Sequence, residues 1–303
     1  GRSALGANTT GAENTSVGAN SLDANTTGTR NTAIGMNSLG ANTTGNYNTA
    51  SGFHSLITNT TGAENTATGY AALNDNTTGS YNTANGYLAL YLNTTGANNT
   101  ASGYQALKAN TTGHSNVGVG YQSLRSSTTA TENTAVGFNA LDANTTGANN
   151  TAIGNGALKL TTGNANYNTA VGSKALDANT TASNNTAVGY DALTANTTGS
   201  ANTACGSYAA DSVTTASGIT AIGNNALNAV TTGSYNVGLG EAAGSYAVSL
   251  TTGSKNYLMG NYVHTSAVNS DAQMVFGYNV VGSGNSTITV GNGTTDSTLS
   301  FGG

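Results

Sequence analysis

The sequence contains no proline and no tryptophan, and only 6% of its 303 residues are charged. A typical soluble domain has about 25% charged residues. The twelve acidic and seven basic residues are spread thinly, so no basic stripe is present that would bind a phosphate backbone, and we expect no nucleic-acid partner. The apolar runs are also far shorter than the ~20 residues that cross a bilayer, so we expect no membrane insertion.

Cysteine and histidine are scarce as well. The single cysteine, Cys205, excludes an intrachain disulfide framework and a cysteine-rich metal site. It stands where other copies of a repeat have Val or Ile, so we predict a small buried hydrophobe. His54 and His114 occupy variable places and are expected to face solvent. No acid pair recurs and no G-x-S-x-G or H-E-x-x-H motif occurs, so we predict no catalytic residue, no metal site, no cofactor and no enzyme activity.

The chain is rich in glycine, with 42 residues, and it contains a regular sequence repeat. One copy of the repeat, NTAIGMNSLGANTTGNY, begins at Asn31. The first Asn of the repeat occurs every 17 residues from Asn14 to Asn150. After one inserted residue the register continues from Asn168, and about fifteen copies are visible. Low charge with many Gly, Ser, Thr and Asn residues is also typical of disorder. However, the apolar residues keep their register, which favours an ordered repeat structure.

Some of the seventeen places barely vary. Counting from the first Asn, the third place is mostly Ala, the fifth is Gly from Gly18 to Gly240, and the ninth is Leu from Leu5 to Leu193. Gly, Asn and Thr are poor helix formers, whereas T-A-V between Asn and Gly is typical of a short strand. We interpret N-T-T-G as a strand followed by a turn in which Gly supplies a positive φ.

Each copy is therefore predicted to be one coil of a parallel β-solenoid, or β-roll, with coils stacked about 4.8 Å apart in a rod of roughly 70 Å. Stacking predicts a structural Asn ladder along the axis. Leu at the ninth place, Ala and an intermittent Val or Ile would form the apolar spine. This spine is thin relative to the cost of ordering the backbone, about 1–2 kcal/mol per residue. The members of the predicted Asn ladder are Asn31, Asn48, Asn65, Asn82 and Asn99.

A thin spine favours a homotrimer, intertwined or side by side, that shares a central core. We predict a solenoid shaft or head over residues 1–260 and a β neck or junction over residues 261–303.

The sixth place of the repeat predicts an aromatic ladder, with two open interpretations. In the first interpretation, the rings stack on the sugar rings of a glycan. In the second, the rings pack on neighbouring chains and cover the core. The ladder residues are Phe53, Tyr70, Tyr87, Tyr104, Tyr121 and Phe138.

The repeat N-T-A-I-G with the following x-x-A-L resembles the repeats in the heads of trimeric autotransporter adhesins, which are trimers of left-handed parallel β-rolls. The longer pattern ending in N-T-T-G is similar to repeats of phage tail fibres, and the resemblance covers roughly residues 1–260. The stretch GNSTITVGNGTTDSTLSFGG at residues 284–303 resembles the β-repeat that precedes the cleavable endosialidase-type chaperone of phage tail spikes.

The resemblance implies a non-enzymatic structural or adhesive fibre segment, extracellular on a cell surface or a virion. It would present a stiff, repetitive rod to a host receptor or glycan. Two alternatives stay open, a bacterial extracellular filament or surface-layer-type protein and an ice-binding solenoid. The N-T-T pairs argue against the latter, because adjacent Thr residues on a strand point to opposite faces. A glycan-degrading β-helix enzyme would need acids clustered in a groove, and the sequence offers none.

Overall fold

The computed structural model describes residues 1–300, which are all-β and contain no helix. The fold is the predicted parallel β-solenoid, in which each 17-residue copy forms one coil. The eighteen described strands fall into two compact units, one formed by residues 1–149 and the other beginning at residue 150. Since residues 1–300 form strands and turns only, they provide no helix of the length and hydropathy that a membrane span requires.

The first unit contains eight strands of three residues each. Each strand pairs in parallel with the next, and Thr15 stands beside Thr32 and Ala33 beside Ala50, so that the register advances by one repeat per coil. The strands are β1 Thr15–Val17, β2 Thr32–Ile34, β3 Thr49–Ser51, β4 Thr66–Thr68, β5 Thr83–Asn85, β6 Thr100–Ser102, β7 Val117–Val119 and β8 Thr134–Val136.

The second unit continues the same pattern through nine parallel strands. The last strand, β18, then pairs antiparallel with β17. The strands are β9 Thr151–Ile153, β10 Thr169–Val171, β11 Thr186–Val188, β12 Thr203–Cys205, β13 Thr220–Ile222, β14 Val237–Leu239, β15 Tyr257–Met259, β16 Met274–Gly277, β17 Thr287–Gly291 and β18 Ser297–Ser300.

The predicted neck begins inside this second unit. Parallel pairing runs from β15 to β16 and on to β17 without a break at residue 260. The departure from the parallel pattern comes only where Ser297–Ser300 folds back on β17. Residues 301–303 of the predicted neck lie outside the described residues.

The three-residue strands place one side chain inside and two outside. In β12, Ala204 is fully buried while Thr203 and Cys205 are exposed. This follows from the two-residue period of a strand: when the middle Ala points inward, both flanking residues point outward. The prediction of a buried Cys205 is therefore wrong. The same geometry removes the intermittent Val or Ile from the interior, so Val17 and Ile34 are 56% and 45% exposed.

Leucine at the ninth place forms the interior spine, as predicted. Leu39, Leu107 and Leu176 are each 0% exposed, and they are among the largest fully buried side chains in the described part of the chain. These leucines have φ values between 51 and 53°, in the left-handed region that bulky residues rarely adopt. Burial of the side chain in every coil offsets this local backbone strain.

The N-T-T-G segment differs from its prediction. It forms no strand in the described coils, and the Gly that closes it, such as Gly45, does not have a positive φ. Glycine is needed there for space instead. A Cβ on Gly45 would lie 2.4 Å from Asn42 Oδ1 and 2.4 Å from the carbonyl oxygen of Gly62 in the next coil. The chain turns at the seventh, ninth and seventeenth places, where non-glycine residues such as His54, Leu56 and Tyr47 carry the positive φ.

Candidate functional site

The sixth-place aromatic residues of the first unit form one continuous stack. Neighbouring rings lie 5.0–5.4 Å apart between centroids, and their planes differ by only 6–14°. The rings therefore cover one another's faces and turn their edges to solvent, with exposures such as 49% for Tyr70 and 44% for Tyr121. At one end His54 stacks on Phe53 at 3.8 Å. This arrangement leaves little ring face open for a sugar to stack on.

The Asn residues of the first place form the ladder that stacking predicts. Asn48 donates its side-chain amide to Asn31 Oδ1 at 3.2 Å, and the backbone amide of Asn48 donates to the same oxygen at 2.9 Å. The side chain also donates to the carbonyl of Gly62 at 2.9 Å. These side chains are fully or almost fully buried, so their polar atoms need partners within the protein. The ladder is structural, and it contains Asn31, Asn48, Asn65, Asn82 and Asn99.

A second buried Asn column, which is not among the sequence predictions, runs through the twelfth place. Asn42 donates to Asn25 Oδ1 at 2.9 Å, and the pattern repeats as far as Asn110, which donates to Asn93 Oδ1 at 2.7 Å. The twelfth place then becomes Ser127. Its short hydroxyl has no partner, and neither does Asn110 Oδ1. The column is thus interrupted at a fully buried position.

Restoring Asn at this position should stabilise the protein. In the variant Ser127→Asn, the new amide reaches Asn110 Oδ1 and pairs a buried acceptor, which is worth about 1–2 kcal/mol. We expect a higher melting midpoint by circular dichroism. Ser126→Asn, at the half-buried neighbouring position, should leave the midpoint almost unchanged. A lower midpoint for Ser127→Asn than for the unmodified chain would contradict this account of the column.

The outward face of the strands is a regular surface that carries no charge. None of the eighteen described strands contains Asp, Glu, Lys or Arg. The fourth place exposes an aliphatic side chain in several strands of each unit. In the second unit, Ile153, Val188 and Ile222 are 41%, 38% and 44% exposed, with Thr at the second place of the same strands. Both faces of a parallel sheet are normally covered, so this exposed face is unusual.

The charged side chains lie on other parts of the coils. Arg30 pairs with Glu13 at 2.8 Å, and Arg125 pairs with Asp142 at 2.8 Å. All four lie at the tenth or seventeenth place, outside the strands. Glu13 and Arg30 are strongly exposed, so their ion pair contributes little to stability. The charges keep those surfaces hydrated and leave the strand face uncharged.

The three histidines differ in environment. His54 is half-buried and its Nε2 lies 3.0 Å from Asn37 Nδ2, while His114 is exposed. His264 is buried with 4% exposure, and its Nδ1 lies 3.2 Å from the carbonyl oxygen of Thr265. Within residues 1–300, no three His, Cys, Asp or Glu side chains come together in a group that could hold a metal ion.

A tyrosine cluster in the second unit was not predicted. Tyr246, Tyr262 and Tyr278 lie with ring centroids 5.0 Å and 6.0 Å apart along the series. Two of them stand at repeat places, but Tyr246 belongs to extra residues in the coil between Asn236 and Asn256, which are 20 residues apart. The length of this coil marks the insertion in the sequence, although it does not place Tyr246 beside Tyr262.

Comparison with known proteins gives no match. No protein-family model, no curated protein and no solved structure is similar to this chain. The functional argument therefore depends on the surfaces of the molecule itself.

Proposed function

We propose that the protein is a structural and adhesive fibre segment in which copies of the chain associate through the outward faces of their strands, as a homotrimer. The single observation that carries this proposal is the exposed, uncharged face of a parallel sheet. Exposed aliphatic side chains on an uncharged sheet face, such as Val17, Ile34 and Ile153, are typical of contact sites between proteins. Association would also supply the core that each chain lacks, since a single coil buries little more than one Leu and small residues.

The size of the face fits such a contact. Over the eight parallel strands of the first unit, the second, fourth and sixth places give about two dozen uncharged outward side chains, which is the number that one side of a standard interface uses. The ring ladder of the first unit lies along the edge of this face. Because its rings already cover one another, their exposed edges are better suited to packing against another chain than to stacking on sugars.

Adhesion is the second part of the proposal. A repetitive surface presented outside a cell or on a virion turns weak contacts with a receptor or glycan into strong attachment through effective concentration. The apolar strand faces and the buried Asn columns support a durable scaffold for this purpose. A bacterial extracellular filament would use the same coils and the same contact face.

Ice binding is a second candidate, and one observation favours it. The strands β9–β13 present Thr at the second place beside Ile, Val or Cys at the fourth, which gives two regular columns on one face. The N-T-T segments do not offer such a grid. Thermal hysteresis of a dilute solution tests this function. Hysteresis from a monomeric chain would favour ice binding over the fibre segment.

The contact face can be tested with Cys205. Its exposed thiol lies beside Val188 in the sheet register. We expect maleimide to label Cys205 at least about tenfold more slowly in the assembled protein than in the variant Val188→Glu, because an unpaired carboxylate buried in the contact costs several kcal/mol. The matched control is Asn184→Glu, which places the same charge at the exposed seventeenth place, where Glu13 and Glu64 occur naturally. Equally fast labelling in all three proteins would contradict the proposed contact.

A further inference from the structure

The coil that follows Asn236 carries a loop that interrupts the repeat. Between Ala243 and Leu250 the chain inserts extra residues, and the loop is closed by a hydrogen bond from the backbone amide of Leu250 to the carbonyl of Gly244 at 2.9 Å. Gly244 is required because its φ is +80° and a Cβ would lie 2.6 Å from Leu227. The loop is thus anchored on the interior spine and presents Tyr246 at its outer end, 48% exposed.

Tyr246 completes a cluster that differs from the stack of the first unit. The planes of Tyr246 and Tyr262 make an angle of 59°, and those of Tyr262 and Tyr278 an angle of 86°. In such tilted and edge-to-face pairs, the rings do not cover one another face to face as parallel stacked rings do. Tyr278 is 59% exposed. The cluster therefore has ring faces that its own rings leave uncovered, which the parallel stack does not.

Polar groups border these rings. Glu241 is exposed, and its interaction with the Tyr262 hydroxyl raises the pKa of Tyr262. Asn261 is also exposed, and its Oδ1 accepts a hydrogen bond from the backbone amide of Glu241 at 3.1 Å. On the other side, Tyr246 lies 6.4 Å from the ring of the buried His264. An open aromatic face next to a carboxylate and an amide is the combination that a pyranose ring needs, since its C–H face packs on the ring and its hydroxyls donate to the oxygens.

We infer that Tyr246, Tyr262 and Tyr278, together with Glu241 and Asn261, form a binding site for a pyranose unit of a surface glycan. This inference deepens the adhesive part of the proposed function and depends on it. It moves the sugar-binding platform from the ladder of the first unit to the irregular coil of the second. The stacked rings, in contrast, belong to the contact between chains.

The test uses the full chain on a broad array of immobilised, defined oligosaccharides of plant, animal and bacterial origin. The strongest array binder is then titrated against four variants. We expect Tyr246→Ala and Tyr278→Ala each to weaken binding by at least about tenfold, the upper range for loss of an aromatic contact. Tyr278→Phe keeps the ring and should retain most of the affinity. Tyr167→Ala removes an exposed ring at the seventeenth place, outside the strands and outside the cluster, and should leave binding unchanged.

Three results would overturn the inference. These are no binding to any oligosaccharide on the array, binding that Tyr167→Ala abolishes while Tyr246→Ala does not, and binding that all variants retain. Circular dichroism of each variant checks that the exposed substitutions leave the fold intact. The labelling of Cys205 is measured on the same proteins. If the glycan site fails while maleimide labels Cys205 slowly, the proposal of a self-associating scaffold still holds. If maleimide labels Cys205 as fast as in Val188→Glu, the scaffold proposal itself is contradicted.

Discussion

Replacing Gly86 with Ala is expected to destabilise the solenoid by more than about 3 kcal/mol. Gly86 has a φ of +140°, and an added Cβ would lie 2.4 Å from the carbonyl oxygen of Gly103 in the next coil. That oxygen belongs to backbone held by hydrogen bonds between coils, so it has little freedom to move. The cost combines a backbone conformation that Ala rarely adopts, about 1–3 kcal/mol, with the overpacking of a dense contact, another 1–3 kcal/mol.

The control for this substitution is Gly40→Ala in the same unit. The φ of Gly40 is not positive, and the nearest atom to a new Cβ would be the carbonyl oxygen of Asn37 at 3.3 Å. Its stability should change by less than about 1 kcal/mol, since Gly-to-Ala changes at compatible sites are mild and can even stabilise. Urea unfolding followed by circular dichroism measures both variants. Equal midpoints for Gly86→Ala and Gly40→Ala would refute the close approach of coils at the fifth place.

The second large effect is expected at the leucine spine. Leu158 is 0% exposed, and Leu158→Ala should cost about 2–5 kcal/mol through lost burial and the cavity left behind. The backbone itself should tolerate the change, because Ala210 occupies the same place with a φ of 51°, equal to that of Leu158. The loss would therefore report packing and not backbone strain.

Leu160 provides a matched control two residues further on. Its side chain is 46% exposed, so Leu160→Ala should change the free energy of unfolding by no more than about 0.5 kcal/mol. Both variants are compared by urea unfolding with the unmodified protein. If the two substitutions cost the same, the ninth-place leucines would not form the interior that the structure gives them.

The sequence predicts much of this fold because the repeat is regular. Stacking identical coils requires identical residues to lie above one another, so the spacing of Asn31 and Asn48 predicts the buried ladder before any coordinates are known. The ninth-place leucines are likewise predicted to be inside, because they are the largest apolar residues that do not vary. The parallel pairing follows from the 17-residue register alone.

Cys205 shows where the pattern was ambiguous. A three-residue strand can point either its central Ala or its two flanking residues into the interior of the solenoid. Hydrophobicity alone favoured burial of the larger Val, Ile or Cys at the fourth place. The invariance of the small third place was the better guide, because Ala204 lies in the confined interior and the fourth place varies from Ile34 to Asn85. The limited space of the solenoid interior, more than hydrophobicity, decides which residues face inward in these strands.

The tyrosine cluster of the second unit was missed for a different reason. Its geometry depends on an inserted loop that brings Tyr246 to Tyr262, and a repeat pattern carries no information about the path of an insertion. The N-T-T-G turn was misassigned because Gly is used there for space beside Asn42 and not for a positive φ. In both places, contacts between coils decide the local structure.

The central claim is that copies of this chain associate through the uncharged outward face of the strands. The measurement that tests it most directly is the mass in solution by sedimentation equilibrium at micromolar concentration. The predicted result is a mass close to three times 29.8 kDa for the unmodified chain, falling to 29.8 kDa for Val188→Glu. A mass of 29.8 kDa for the unmodified chain would contradict the claim, because the uncharged face with its exposed aliphatic side chains would then remain open to water.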